Sequence, residues 1–150
     1  DKREEMISEI KSAGIKQYYL PYRVRSRIMS QREMELFVNL RKVLGSRFDI
    51  YPQAKLDKIF FVDLPKTSKY HDGCFYKISQ KSVDFLIVEK EFQKPVFAIE
   101  LDDFTHEDIN RRIRDGFVEE LFRVTKFPLV RFNEGQYGEE ELKRIFGRYL

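Results

Sequence analysis

A chain of 150 residues has room for one domain of ordinary size, and 42% hydrophobic residues, with 14 Phe and 8 Tyr, argue for a real core and against disorder. Its 28 basic and 25 acidic side chains nearly cancel to a net +3, so bulk charge selects no partner. The single cysteine, Cys74, excludes an internal disulfide and a cysteine-based zinc site, and two histidines, His71 and His106, exclude a histidine-rich metal centre.

No apolar run approaches the ~20 residues that span a bilayer, and no secretory signal is visible. With the lone cysteine, this sets the expectation of a cytoplasmic protein without a membrane partner. The chain starts at Asp1 rather than Met, which fits a piece of a longer protein.

In chain order, Met6, Ile7 and Ile10 are spaced for a short helix within residues 1–12. From Leu20 the pattern alternates, with Leu20, Tyr22 and Val24 against Arg23, Arg25 and Arg27, and reads as a strand or extended arm. Arg32 and Arg41 lie nearby, and Tyr18, Tyr19 and Tyr22 are interleaved. That mixture suits tracking a nucleic-acid backbone and stacking bases, and equally suits a solvated strand face. Ser30-Gln31-Arg32-Glu33 fits the capping box S-x-x-E, and Leu36, Phe37, Leu40, Val43 and Leu44 form a helical stripe that Gly45 ends. Residues 48–55 read as a strand that 58–64 continue as a second short stretch, and 65–80 as a polar loop long enough to be a functional insertion. Two strands are expected at 82–89 and 95–102.

Further on, Ile113, Phe117, Leu121 and Val124 share one face of a helix expected over 105–126. Residues 127–132 form a short strand with Pro128 at its start, where a missing N–H is tolerated. Leu142, Ile145, Phe146, Tyr149 and Leu150 make the stripe of a closing helix, behind Glu139, Glu140 and Glu141, whose charges suit the positive end of a helix dipole. From residue 30 to 133 the order is helix, strand, strand, strand, helix, strand. The expectation is an α/β domain over 30–150 with a C-terminal helix, preceded by an extension over 1–29.

The chemistry concentrates in Val83-Asp84-Phe85-Leu86-Ile87-Val88 and Ile99-Glu100-Leu101-Asp102-Asp103, two apolar strands each carrying an acid. A carboxylate within a buried strand costs several kcal/mol unless a cation or strong donors compensate it. A hairpin centred on Phe92 sets Val88 against Val96, Leu86 against Ala98 and Asp84 against Glu100, with Asp102 on the same face. Two carboxylates so placed suit Mg²⁺ or Mn²⁺, hard cations that take one or two carboxylates plus waters. They also fit strand-end acids facing solvent or a basic residue. Asp102 is either a further ligand or an exposed strand-end acid. Glu35 sits beside the apolar positions of the first helix, from which it is able to reach the cluster or simply to be solvated. His106 lies four residues past Asp102, placed to orient water or protonate a leaving oxygen. Arg111, Arg112 and Arg114 open the next helix as phosphate clamps or as partners of Glu107 and Asp108, and Arg131 sits within the last strand, where it requires a carboxylate or phosphate.

Together these residues resemble the PD-(D/E)xK, restriction-endonuclease-like nuclease superfamily, and most closely its bacterial uncharacterised domains related to very-short-patch repair endonucleases. The likeness is carried by Glu35 in its capped helix, Gln53, Val83-Asp84-Phe85, Ile99-Glu100-Leu101-Asp102-Asp103, His106, Arg114-Asp115 and Pro128-Leu129-Val130-Arg131-Phe132. It covers residues 20–133, and the element order read above is that superfamily's core. The resemblance implies a Mg²⁺- or Mn²⁺-dependent endonuclease acting on nucleic acid, with DNA the expected substrate and an RNA nuclease, which would use the same residues, left open. Asp84 and Glu100 would be metal ligands, with Asp102 as a further one, and Glu35, Gln53 and His106 would assist catalysis. Arg23, Arg25, Arg27, Arg111, Arg114 and Arg131 are the residues expected to hold the nucleic acid. One departure is plain. The superfamily's lysine, two residues after the second acid, is Asp102 here, so Gln53, Lys55, Lys81 or His106 must replace it, or the domain is a non-catalytic nucleic-acid-binding or scaffold module.

Overall fold

A computed structural model describes residues 1–14, 20–102, 109–133 and 137–150, with side chains in the fourth helix described from residue 116 onward. The elements are α1 (Lys2–Ser12), α2 (Gln31–Leu44), β1 (Phe48–Lys55), α3 (His71–Ser79), β2 (Ser82–Glu89), β3 (Lys94–Leu101), α4 (Ile109–Thr125), β4 (Leu129–Phe132) and α5 (Glu139–Phe146). The sheet has the order β1-β2-β3-β4. β1 pairs antiparallel with β2 and β2 with β3, and β4 pairs parallel to β3 after the α4 crossover.

Helices cover both faces, which explains why β2 reads as a continuous apolar run rather than an alternating one. On one face Phe85, Ile87, Phe97, Ile99 and Phe132 pack with Leu36, Leu40 and Leu44 of α2 and Leu142 and Phe146 of α5. On the other, Leu86, Val88 and Ala98 pack with Leu56, Ile78 of α3, and Val118 and Phe122 of α4. Ser30 caps α2 by accepting from Glu33 N, and Gly45 ends it at φ 62, a left-handed conformation open to glycine at little cost. Among the described residues no helix is long and apolar enough to cross a membrane.

Several expectations change. Residues 20–30 form no strand, and Tyr22 and Val24 project into solvent. The short strand expected at 58–64 is absent: Leu56 is fully buried, and Ile59 N and Phe60 N both bond back to its carbonyl, coiling the chain instead. The loop expected at 65–80 contains α3, a helix with no side-chain cap at Tyr70, whose buried residue is Ile78. The hairpin register holds for Phe85–Ile99, Leu86–Ala98 and Ile87–Phe97, then slips, so that Val88 faces Pro95 rather than Val96. Pro95 has no N–H for the ladder, and a bulge beside it absorbs the extra residue. In α4 the buried stripe includes Val118 and Phe122, while Val124 faces outward at 57% exposure.

Candidate active site

Asp84 and Glu100 lie on adjacent antiparallel strands, one step beyond the Phe85–Ile99 pair. Each carboxylate grips the other strand's backbone. Asp84 Oδ2 accepts from Leu101 N at 2.7 Å, and Glu100 Oε1 accepts from Asp84 N at 3.1 Å. These bonds occupy the place of ladder hydrogen bonds at the end of the β2–β3 pairing and hold both side chains in fixed positions. Charge-assisted bonds from N–H groups also supply the compensation that a half-buried carboxylate needs.

Gln53 completes the group through an unusual backbone. Its φ is 49, in the left-handed region, which a non-glycine residue occupies at a cost of about 1–2 kcal/mol. The period-2 alternation of β1 reverses there: Phe48 and Ile50 pack on the α2 face, whereas Ala54 packs on the α4 face. The side chain of Gln53 donates from Nε2 to Asp84 Oδ1 at 3.3 Å, and its Oε1 accepts from Ser82 Oγ at 3.3 Å. No spacing signal in the sequence marks Ser82.

Asp102 meets Arg131, with Oδ1 2.7 Å from Nη1, and the same guanidinium bonds through Nε to Glu119 of α4 at 2.6 Å. The partners of Arg131 are thus carboxylates of the protein itself, and Glu119 is a second residue that no sequence pattern identified. Burial alone would lower the Arg131 pKa. The hydrogen bond and charge of Asp102, joined by those of Glu119, outweigh it and hold the group above the usual arginine value.

Glu35 stands in α2, accepting from Gln31 Nε2 at 3.2 Å, while Gln31 accepts from Arg27 Nη1 at 3.3 Å. Glu35 lines a cavity of about 590 Å³ together with Arg32, Asn39, Tyr137 and Leu101, the residue whose amide holds Asp84. Arg32 Nη2 is buried without a hydrogen-bond partner among the described residues, a state that calls for water or an anion. Arg23, Arg25 and Arg27 are exposed on the irregular arm before α2. His106 and the side chains of Arg111, Arg112 and Arg114 lie outside the described residues.

Among the described residues no group of three or more His, Cys, Asp or Glu is gathered to hold a metal ion. The pair Asp84 and Glu100 nevertheless fits a Mg²⁺-type cation, whose usual protein contribution is one or two carboxylates with water filling the rest. Lys81, one of the possible stand-ins for the motif lysine, donates to Lys77 O at 3.1 Å, and its ammonium lies 4.9 Å from the centre of the Phe117 ring.

A family model described as "Protein of unknown function (DUF2726)" matches residues 25–148. No curated protein and no solved structure matches.

Proposed function

The chain belongs to the DUF2726 family, and from the geometry of its acid pair we propose that it is a metal-dependent nuclease with a restriction-endonuclease-like core, hydrolysing phosphodiesters in DNA. The observation that carries this reading is the reciprocal bracing of Asp84 and Glu100 across two antiparallel strands. Order and direction of the strands agree with that core, three antiparallel strands and a fourth parallel to the third behind a helical crossover.

Asp84 and Glu100 would hold Mg²⁺ or Mn²⁺, which when bound supplies a Lewis acid for a phosphate oxygen and lowers the pKa of water. The chain's own residues prepare that site. The Leu101 and Asp84 amides fix the two carboxylates, so little reorganisation is needed when a substrate arrives. Gln53, pinned by Ser82, holds Asp84 by one oxygen. Glu35 and Arg32 line a separate cavity that reaches Leu101, the residue whose amide holds Asp84, and the unpaired Arg32 Nη2 there suits water or an anion. Asp102 stands where the superfamily's lysine would, and its partner is Arg131. That favours slow turnover, since one lost transition-state donor costs about 10²–10³ in rate. It is also the observation behind the second reading, a binding module that has given up catalysis.

Purified protein with Mn²⁺ should nick or cut plasmid, linear, single-stranded or mismatched DNA, with RNA as the control, and Glu100→Gln should abolish the activity. Glutamine keeps an oxygen to accept from Asp84 N, while it removes the charge and turns the second oxygen into an NH2 donor. Binding of DNA without cleavage of any form would establish the binding module, and equal cleavage by Glu100→Gln would expose a contaminant.

A further inference from the structure

Gln53 belongs to two neighbourhoods. While its amide holds Asp84, it also lines a groove of about 410 Å³ whose other walls include Tyr51, Lys55, Lys58, Leu86 and Val88. Leu86 and Val88 give the groove an apolar floor. Tyr51 is 43% exposed, so its ring is open to a ligand. The ring is also fixed: its hydroxyl donates to Gln93 Oε1, and Gln93 Nε2 in turn donates to Asp49 Oδ2 at 2.8 Å and to Lys90 O at 2.9 Å. Lys55 and Lys58 are exposed. They open a stretch, residues 55–81, with six lysines and three aspartates, a surplus of three that equals the net +3 of the whole chain.

We propose that this groove receives an unpaired nucleotide of a single-stranded nucleic acid, its base against Tyr51 and the apolar floor and its phosphates at Lys55 and Lys58. An aromatic wall over an apolar recess suits a base whose face is open, and in a duplex those faces are covered by stacking. Lysine ammonium groups suit the phosphates that flank such a base. Gln53, which lines the groove and bonds Asp84, ties it to the acid pair. The inference rests on the nuclease reading for its biological meaning and names that site's substrate form, yet its test does not need catalysis.

Fluorescence anisotropy in EDTA should show labelled oligo-dT or oligo-U binding more tightly than a blunt duplex hairpin, and the two single strands separate DNA from RNA as the source. Tyr51→Ala should weaken single-strand binding by roughly five- to a hundred-fold, the worth of one stacked base, and Tyr51→Phe should restore it. Lys55→Ala with Lys58→Ala should weaken binding and flatten its salt dependence by a slope of about 1.4, two contacts at ~0.7 each. Tighter binding of the duplex, or unchanged affinity and slope in these variants, overturns the proposal. Binding in EDTA requires neither metal nor cleavage, so absence of cleavage counts against the nuclease reading alone.

Discussion

Arg131 and Asp102 bear on whether this surface is a phosphate clamp or an internal brace. A clamp would have its guanidinium free for substrate, whereas Arg131 bonds Asp102, just past the end of β3, and Glu119 from α4, tying the sheet to the helix over it. Hydrogen bonds to charged groups contribute about 1.5–3 kcal/mol. Arg131→Met should therefore destabilise the fold by about 2 kcal/mol in urea titrations, and a double-mutant cycle with Asp102→Asn should return a coupling of about 1–2 kcal/mol. Because the folded-state pKa of Arg131 is raised, its contribution is complete below the ordinary arginine value and is lost only as pH rises through the higher one. The difference between wild type and Arg131→Met should accordingly stay constant from neutral pH into the alkaline range. A variant of unchanged stability with weakened DNA binding would return Arg131 to the clamp role.

Elements whose partners lie nearby in sequence were legible, and those shaped by distant contacts were not. The α2 stripe and its Ser30 cap can be read because both are local, whereas Asp84 comes opposite Glu100 only because the bulge beside Pro95 shifts the register set at the turn by one residue. The slip at Pro95 requires knowing where the bulge goes. α3 forms without a cap and with Gly73 in its first turn, held by the burial of Ile78 against the sheet, so its signal is tertiary. Backbone strain is hidden too: nothing about glutamine or lysine announces a left-handed residue, yet Gln53 and Lys126 both adopt one. At Lys126, just past the end of α4, φ is 59 and the side chain is exposed. Glycine belongs there on conformational grounds, so Lys126→Gly should stabilise the protein by about 1 kcal/mol, read as a higher urea midpoint at unchanged m. A lower midpoint would mean that the lysine makes a contribution larger than its strain.

At the scale of the molecule, two helical layers bury both faces of the sheet, and the strand end that carries Asp84 and Glu100 leaves both acids only partly buried. Hydrophobic periodicity shows where the layers pack. It does not show which acids are braced by backbone amides, why Gln53 rather than a lysine stands beside Asp84, or that Asp102 has its own arginine. Those are products of register and bulges that bring distant residues together. The arrangement has a thermodynamic signature, because a cation that binds only the folded chain stabilises it by RT ln(1 + [L]/Kd), about 2.7 kcal/mol at a hundred-fold excess over Kd. For a domain of this size, that should raise the melting temperature by several degrees. Mn²⁺ should produce such a shift in the wild type and none in Glu100→Gln, which keeps its hydrogen bond to Asp84 N and so its fold. An equal shift in the variant would place the cation elsewhere and remove the acid pair as the metal site, even if the protein were later found to bind nucleic acid.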